Sequence, residues 1–252
     1  MIEVLILSLI QGITEFLPIS SSSHLILISE LGNLNNHNLS IDVSLHIGSF
    51  FAVLTYFYKD IINFVKNKEL FLKIFISSLP LILIGFLLTQ TSLINEIRNI
   101  KIISWTTIIF GIFLYFSDKC KLDKNIENNF NFKTALIIGL FQVLSLMPGV
   151  SRSGIGITVA RLLNYKREDA AKISFLISIP ILGAVSFYGI KNIITSDEIS
   201  FSILNMASIV LSFFFSYFTI KYFLKFIQKF SLKVFVNYRM LLGIILLTLT
   251  YL

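Results

Sequence analysis

The sequence predicts an all-α, polytopic membrane protein with about six transmembrane helices and two re-entrant helical hairpins, in a single integral membrane domain over residues 1–252. The mean hydropathy is +0.83 and only 14% of the residues are charged, which is too apolar for a water-soluble domain. Apolar blocks recur that are long enough to cross a hydrocarbon core of ~30 Å. Two polar stretches interrupt this pattern, and they resemble each other.

The candidate spans are six apolar stretches, of which the last is short. Their approximate limits are 41–58, 74–92, 102–117, 173–190, 203–220 and 240–252. Cys120 is the only cysteine, which excludes an intrachain disulfide and a thiolate metal cluster.

The Lys and Arg residues predict the orientation of these spans. Apart from Arg152 and Arg161, they concentrate in four connections, at 59–73, 118–133, 165–172 and 221–239. The other connections hold only Arg98, Lys101 and Lys191. Basic loops stay in the cytoplasm, so the net charge of +7 indicates membrane topology and no nucleic-acid partner. Both termini are then expected outside.

The two polar stretches fall inside predicted hairpins, at about 1–30 and 134–164. The second hairpin joins two basic connections on the same side, so it must cross an even number of times. The first hairpin leads into a segment without Lys or Arg and is expected to enter from the outer face. Broken helices in two halves of opposite orientation are typical of inverted repeats that share one site near the midplane.

The second polar stretch, QVLSLMPGVSRSG at 142–154, predicts a phosphate site. Ser151 and Ser153 provide hydroxyls, Arg152 provides a planar set of donors, and a half-helix begins shortly afterwards. The alternative is that Arg152 has only a structural pairing role.

The first polar stretch, QGITEFLPISSSSH at 11–24, supplies complementary groups. Glu15 lies one helical turn after Gln11 and, in apolar surroundings, must be neutral, paired or bound to metal. It is expected to face Arg152 or a divalent cation that bridges phosphate oxygens. His24 has the chemistry of a general acid or base, or of a group that activates a serine. A packing role for His24 and a purely structural Glu15–Arg152 ion pair stay open.

Other polar residues are weaker candidates. Asp42 and His46 share one helix face near the outer end of the first span and are interpreted as interfacial. His37 lies in an Asn-rich loop and is interpreted as solvated.

The two polar stretches resemble the signature motifs of the undecaprenyl-diphosphate phosphatases, also called the bacitracin-resistance family. The resemblance covers nearly the whole chain and includes DVSLHIG at 42–48, SFLISIP at 174–180 and NYR at 237–239. It implies hydrolysis of undecaprenyl diphosphate to the monophosphate, the carrier lipid of cell-envelope synthesis. It also implies bacitracin resistance, Mg²⁺ or Ca²⁺ as cofactor, and a multi-pass protein of the bacterial cytoplasmic (inner) membrane whose active site faces outward.

The resemblance also implies residue roles. Glu15, His24, Ser21 and Arg152 are expected to be catalytic, and Glu15, with Gln11, is expected to contact the metal. The substrate phosphates are expected to bind Ser20, Ser22, Ser151, Arg152 and Ser153. Some family members carry a second Glu where this chain has Gln11, and Ser23 stands where Gly is usual. The nucleophile (a serine, His24 or water) and the oligomeric state (monomer or homodimer) stay open.

Two other classes of protein share parts of this pattern. A lipid-phosphate flippase would need the same arginine and serines, but it would not need a nucleophile and a base. A phosphatidic-acid-type phosphatase needs a further His soon after its Ser-Arg element, and residues 152–166 contain none.

Overall fold

The computed structural model describes residues 1–32, 39–91, 96–195 and 202–251; His37 lies outside these ranges. Within them the fold is helical, and one isolated β-bridge joins Lys124 and Tyr165. In chain order the helices are α1 (Ile2–Thr14), α2 (Ser21–Gly32), α3 (Leu39–Tyr56), α4 (Tyr58–Lys66), α5 (Lys68–Leu88), α6 (Ile100–Asp118), α7 (Ile126–Asn129), α8 (Phe132–Gln142), the 3₁₀ turn Val143–Leu146, α9 (Arg152–Leu162), α10 (Arg167–Thr195), α11 (Ile203–Lys229) and α12 (Lys233–Tyr251).

The six predicted spans are confirmed, because α3, α5, α6, α10, α11 and α12 are long and apolar enough to cross a membrane. The chain is therefore a multi-pass membrane protein. Some helices extend beyond the predicted apolar stretches. Helix α10 begins at Arg167, before the stretch 173–190, and α11 continues to Lys229, beyond the stretch 203–220. The treatment of 59–73 as a loop was wrong. This segment holds most of α4 and the start of α5, because lysine and glutamate have high helix propensity.

Asparagine side chains start several of these helices. Asn67 accepts a hydrogen bond from the Leu70 amide at 3.0 Å, and Asn99 accepts one from the Ile102 amide at 2.9 Å. Asn131 and Thr134 form a reciprocal capping box at the start of α8. Such caps satisfy backbone amides that have no partner within the helix.

Small polar residues let α3 and α11 pack closely. Ser49 lies 3.2 Å from Ser212 and 2.9 Å from Ser216, Oγ to Oγ. The side-chain amide of Asn205 donates from Nδ2 to Ser44 Oγ at 3.0 Å. Helices in a bilayer associate through such small residues and interhelical hydrogen bonds, since burial of apolar surface does not drive them together there.

The two hairpins are packed in equivalent ways. Helix α1 packs on α11 as α8 packs on α5, while α3 packs on α10 and α6 on α12. The α1 helix has 13 residues and α8 has 11, so at 1.5 Å per residue neither alone spans ~30 Å. This arrangement fits two repeats; whether the hairpins turn back within the bilayer stays a prediction.

The basic connections 118–133 and 165–172 lie side by side. Besides the Lys124–Tyr165 bridge, the Tyr165 hydroxyl donates to the Asn129 carbonyl at 2.7 Å. Asp118 accepts from Arg167 at 2.6 Å and from the Leu232 amide at 3.0 Å. The two connections that flank segment 134–164 are therefore neighbours in the structure; the predicted return of that segment to the same face of the membrane stays a prediction.

Candidate active site

The two helix breaks meet in the protein interior. The Gly149 amide donates to Ser20 Oγ at 3.3 Å. Ser153 Oγ donates to the Leu17 carbonyl at 2.8 Å. The predicted convergence of the two motifs on one site is thus present in the structure.

Serines in a left-handed backbone conformation precede both half-helices. Ser20 has φ +75° and comes directly before α2, and Ser151 has φ +72° and comes directly before α9. Non-glycine residues pay of order 1–3 kcal/mol for such conformations, so packing around them must hold them in place. Ser151 Oγ also accepts from the Gly154 amide at 3.0 Å and caps α9. Both half-helices therefore point their N-terminal ends at the meeting place of the breaks.

Glu15 lies at the centre of this meeting place. One carboxylate oxygen accepts from Arg152 Nη2 at 2.5 Å. The other accepts from Ser21 Oγ at 2.5 Å and from Gln11 Nε2 at 3.1 Å. Ser21 and Arg152 are the first residues of α2 and α9, so each half-helix delivers one side chain to this carboxylate. The charges of Glu15 and Arg152 compensate each other at a buried position.

A cavity of about 420 Å³ opens from this pair. Its polar end is formed by Glu15, Arg152 and Ser20 to Ser22, together with Ser151. Its apolar walls come from α5, the 3₁₀ turn and α10, and include Leu81, Phe86, Leu146, Ile181 and Val185. The volume is in the range of small-molecule sites, and the combination of a charged end with apolar walls suits an amphiphilic ligand.

The predicted phosphate-binding serines differ in their access to this cavity. Ser20, Ser22 and Ser151 line it, and Ser22 is exposed. Ser153 is buried against the Leu17 carbonyl and Ser151, and it does not line the cavity. Its contacts hold the two breaks together, and its predicted contact with phosphate stays a prediction.

His24 is not brought to the Glu15–Arg152 pair. Its Nδ1 lies 2.6 Å from the Ser20 carbonyl and its Nε2 lies 2.6 Å from the Tyr238 hydroxyl. Its ring also stacks on that of Tyr238, with 5.7 Å between centroids. His24 thus fastens the first break to α12, and its catalytic role stays a prediction.

His46 instead lines the cavity beside the pair. It lies near enough to Glu15 to interact electrostatically with it. The interpretation of Asp42 and His46 as interfacial residues on one face of α3 did not predict that His46 lines the cavity. The available signal was an imidazole in the middle of an apolar helix, which is a functional candidate by default.

Arg239, in α12, is a further residue without a predicted role. Only 1% of its surface is exposed, yet it donates to carbonyls of both breaks. The bonds go to Pro18 at 3.0 Å, Val150 at 3.1 Å and Gly149 at 2.7 Å, and another goes to Thr107 at 3.1 Å. A guanidinium suits this position because it has several donors in one plane.

The donors around Glu15 fit a hard divalent cation. Gln11 Oε1 is buried and has no hydrogen-bond partner among the described residues. Together with the Glu15 carboxylate and Ser21 Oγ it gives the oxygen ligands that Mg²⁺ and Ca²⁺ prefer. No group of three or more His, Cys, Asp or Glu side chains suited to a metal is found in the described part of the chain. Phosphate oxygens and water would therefore have to complete the coordination.

The fold and this site define a multi-pass membrane protein with a Glu15–Arg152 ion pair between two broken helices. The family model described as "Bacitracin resistance protein BacA" matches residues 4–245. The chain belongs to this family.

Curated relatives with the name "Undecaprenyl-diphosphatase" match along almost their whole length. The protein from Pelagibacter ubique (strain HTCC1062) is 50% identical over 252 residues, covering 99% of this chain and 98% of the relative. The relative from Saccharophagus degradans is 40% identical, covering 94% of this chain and 93% of its own. The relative from Jannaschia sp. is 35% identical over 98% of this chain and 97% of its own.

Proposed function

We propose that this protein is an undecaprenyl-diphosphatase. It hydrolyses the lipid diphosphate to undecaprenyl phosphate and inorganic phosphate, and so recycles the carrier lipid of envelope synthesis. The observation that carries the proposal is the Glu15–Arg152 pair, 2.5 Å apart at the polar end of a cavity with apolar walls. Family membership and the names of the relatives support the same substrate.

Substrate binding follows from the two ends of the cavity. The guanidinium of Arg152 offers a two-pronged contact to phosphate oxygens, and Ser20, Ser22 and Ser151 add hydroxyl donors. The N-terminal ends of α2 and α9 favour negative charge at the same place. The prenyl chain lies along the apolar side chains of α5 and α10, so that the tail never has to enter water.

Phosphoryl transfer depends mainly on positioning and on neutralising charge. Arg152 fixes the terminal phosphate and stabilises the charge that spreads over its oxygens in the transition state. Ser21 Oγ donates to Glu15 at 2.5 Å, which places the carboxylate to accept a proton from the attacking oxygen. That oxygen is Ser21 Oγ itself, in which case water then hydrolyses the resulting phosphoserine, or it is a water beside Ser21. Gln11 holds the carboxylate from the other side.

A divalent cation, Mg²⁺ or Ca²⁺, is part of the proposal. Glu15 and Gln11 Oε1 would hold it next to the phosphates. When bound, it neutralises part of the charge on the phosphate oxygens.

The membrane orientation is also proposed. The cavity residues of α5 and α10 lie toward the ends of these helices that are remote from the basic connections 59–73 and 165–172. Because basic connections stay in the cytoplasm, the cavity opens toward the outer face of the bacterial cytoplasmic membrane. The two hairpins then enter from opposite faces and meet near the midplane as inverted repeats.

The test is phosphate release from a C15 or C55 prenyl diphosphate by the purified protein in detergent, with and without a chelator. Release that the chelator suppresses is expected. Arg98→Ala serves as a matched control for Arg152→Ala, since Arg98 is exposed and absent from the cavity lining. Absence of release under all metal conditions would overturn the proposal. Light scattering of the same sample decides between a monomer and a homodimer.

A further inference from the structure

We propose that His46 is a catalytic residue of this site, the one that protonates the leaving oxygen of the lipid phosphate. This inference rests on the proposed function. Neither the family resemblance nor the sequence pattern assigns His46 a role, and its placement in the structure carries the argument.

The position of His46 is the first step. It lines the same cavity as Glu15, Arg152 and Ser20 to Ser22, and it is only partly buried. A phosphate held by Arg152 in this cavity is within the space that the imidazole borders. His24, by contrast, is absent from the cavity lining.

The orientation of the His46 ring is the second step. Its Nδ1 lies 2.8 Å from the Asp42 carbonyl, one turn earlier in α3. A carbonyl oxygen only accepts, so Nδ1 carries a hydrogen and Nε2 is the nitrogen left for the substrate. Among the described residues none bonds to Nε2 of His46, whereas both nitrogens of His24 are engaged at 2.6 Å.

The groups around His46 determine which proton transfer it performs. Glu15 already accepts from Ser21 and is placed to take the proton of the attacking oxygen. The other titratable or charged groups of the cavity are Arg152, which donates only, and Tyr188 of α10. On α11, which packs on α3, Ser212 donates to the Leu45 carbonyl at 2.7 Å.

One phosphorus–oxygen bond forms in the chemical step and another breaks. The attacking oxygen forms a bond to the terminal phosphorus while the bond from this phosphorus to the bridging oxygen breaks. The electron pair of the broken bond goes to the bridging oxygen, which receives the proton from His46 Nε2. The proton of the attacking hydroxyl goes to Glu15. The leaving group is the protonated lipid monophosphate.

The experiment compares two substrates in one protein preparation. They are farnesyl diphosphate and its analogue with sulfur in place of the bridging oxygen, whose leaving thiophosphate needs no proton. His46→Gln should lower turnover of the oxygen substrate by about 10²-fold, within the usual range for general acid catalysis. Turnover of the sulfur substrate should stay within about threefold of wild type, because the step that the acid assists is no longer demanding.

His24→Gln is the matched control. Because His24 bonds to the Ser20 carbonyl and the Tyr238 hydroxyl and is absent from the cavity lining, its loss should slow both substrates by the same factor. The ratio of the two rates is independent of the folded fraction, so partial unfolding of a variant does not obscure the result. Equal losses on both substrates in His46→Gln, or no loss on either, would overturn the inference while leaving the phosphatase in place. A wild-type protein that releases no phosphate would remove the proposed function, and this inference with it.

Discussion

Ser20 and Ser151 have nearly the same left-handed backbone angle, φ +75° and +72°, and each stands directly before a half-helix. The two breaks thus share a positive φ angle at the residue before the half-helix. A short polar side chain tolerates this conformation and can hydrogen-bond nearby amides. In both cases the turn aims the next residue, Ser21 or Arg152, at Glu15.

This conformation predicts an unusual ranking of substitutions at Ser151. Ser151→Ala loses the cap to the Gly154 amide and keeps the unfavourable φ, so it should destabilise the protein by about 2 kcal/mol. Ser151→Gly also loses the cap but adopts this φ freely, and it should cost a few tenths of a kcal/mol. Unfolding midpoints in detergent give the difference. The control is the pair of substitutions at Asn131, an ordinary cap with φ −118°, where the gap should be smaller. If the Ala and Gly variants differed in unfolding midpoint by the same amount at both positions, the result would contradict backbone strain at Ser151.

Arg152→Lys should lower kcat/KM for a prenyl diphosphate by about 10²-fold or more. This corresponds to about 2.7 kcal/mol of transition-state stabilisation, because lysine replaces a two-pronged contact by a point charge. Phosphate release is the measurement, and Arg98→Lys should leave it unchanged. Near-normal turnover of Arg152→Ala would end the phosphate-clamp interpretation.

Glu15→Gln should abolish hydrolysis, weaken its dependence on divalent cations and largely preserve binding of the lipid diphosphate. The amide removes the proton acceptor beside Ser21 and leaves the Arg152 donors for the phosphate. Release and binding are measured on the same preparation.

Proteoliposomes separate this enzyme from a lipid-phosphate flippase. Lipid translocation by Glu15→Gln at the wild-type rate, with no phosphate released by either protein, would favour the flippase.

Gln11→Glu should create a second carboxylate ligand. Gln11 is fully buried and donates to Glu15 at 3.1 Å, so the added charge should lower the unfolding midpoint in a chelator. Mg²⁺ or Ca²⁺ should restore that midpoint, which reports metal binding without relying on activity. The control is Gln142→Glu, the corresponding glutamine of the second motif, which is equally buried but, among the described residues, has no hydrogen bond to a carboxylate. It should destabilise the protein without rescue by metal. Rescue of both variants, or of neither, would contradict a cation at Gln11 and Glu15.

Single cysteines test the orientation in a Cys120→Ser background. Gln90→Cys, beyond the end of α5, should react with an impermeant thiol reagent added outside intact cells. Asn128→Cys, in the basic connection after α6, should react only after the membrane is opened. Both positions are exposed, so access across the membrane decides the outcome. Labelling of Asn128→Cys from outside would reverse the topology.

Much of this architecture could be predicted from the sequence because a bilayer restricts the possibilities. Apolar length identified the six spans, and the unequal distribution of Lys and Arg placed segments 118–133 and 165–172 side by side. The pairing of Glu15 with Arg152 followed from the rule that a buried carboxylate needs a partner.

The other parts of the site depend on rotation of the helices about their axes, which composition does not specify. The apolar faces of α2 and α3 do not show which of the two helices turns its histidine toward the cavity. The sequence therefore indicated His24 as the candidate, whereas the structure places His46 in the cavity lining. Arg239 was not assigned either. Its partners are backbone carbonyls, and these have no signature in the sequence.

The position of Arg239 in the last helix has a consequence for biosynthesis. Its guanidinium joins the carbonyls of Pro18 and Gly149, so the centre is completed by a side chain synthesised long after the residues that it holds. Until α12 inserts, the earlier helices lack this link between the two breaks. We therefore expect a nascent or truncated chain to be inactive on lipid until the whole bundle is assembled.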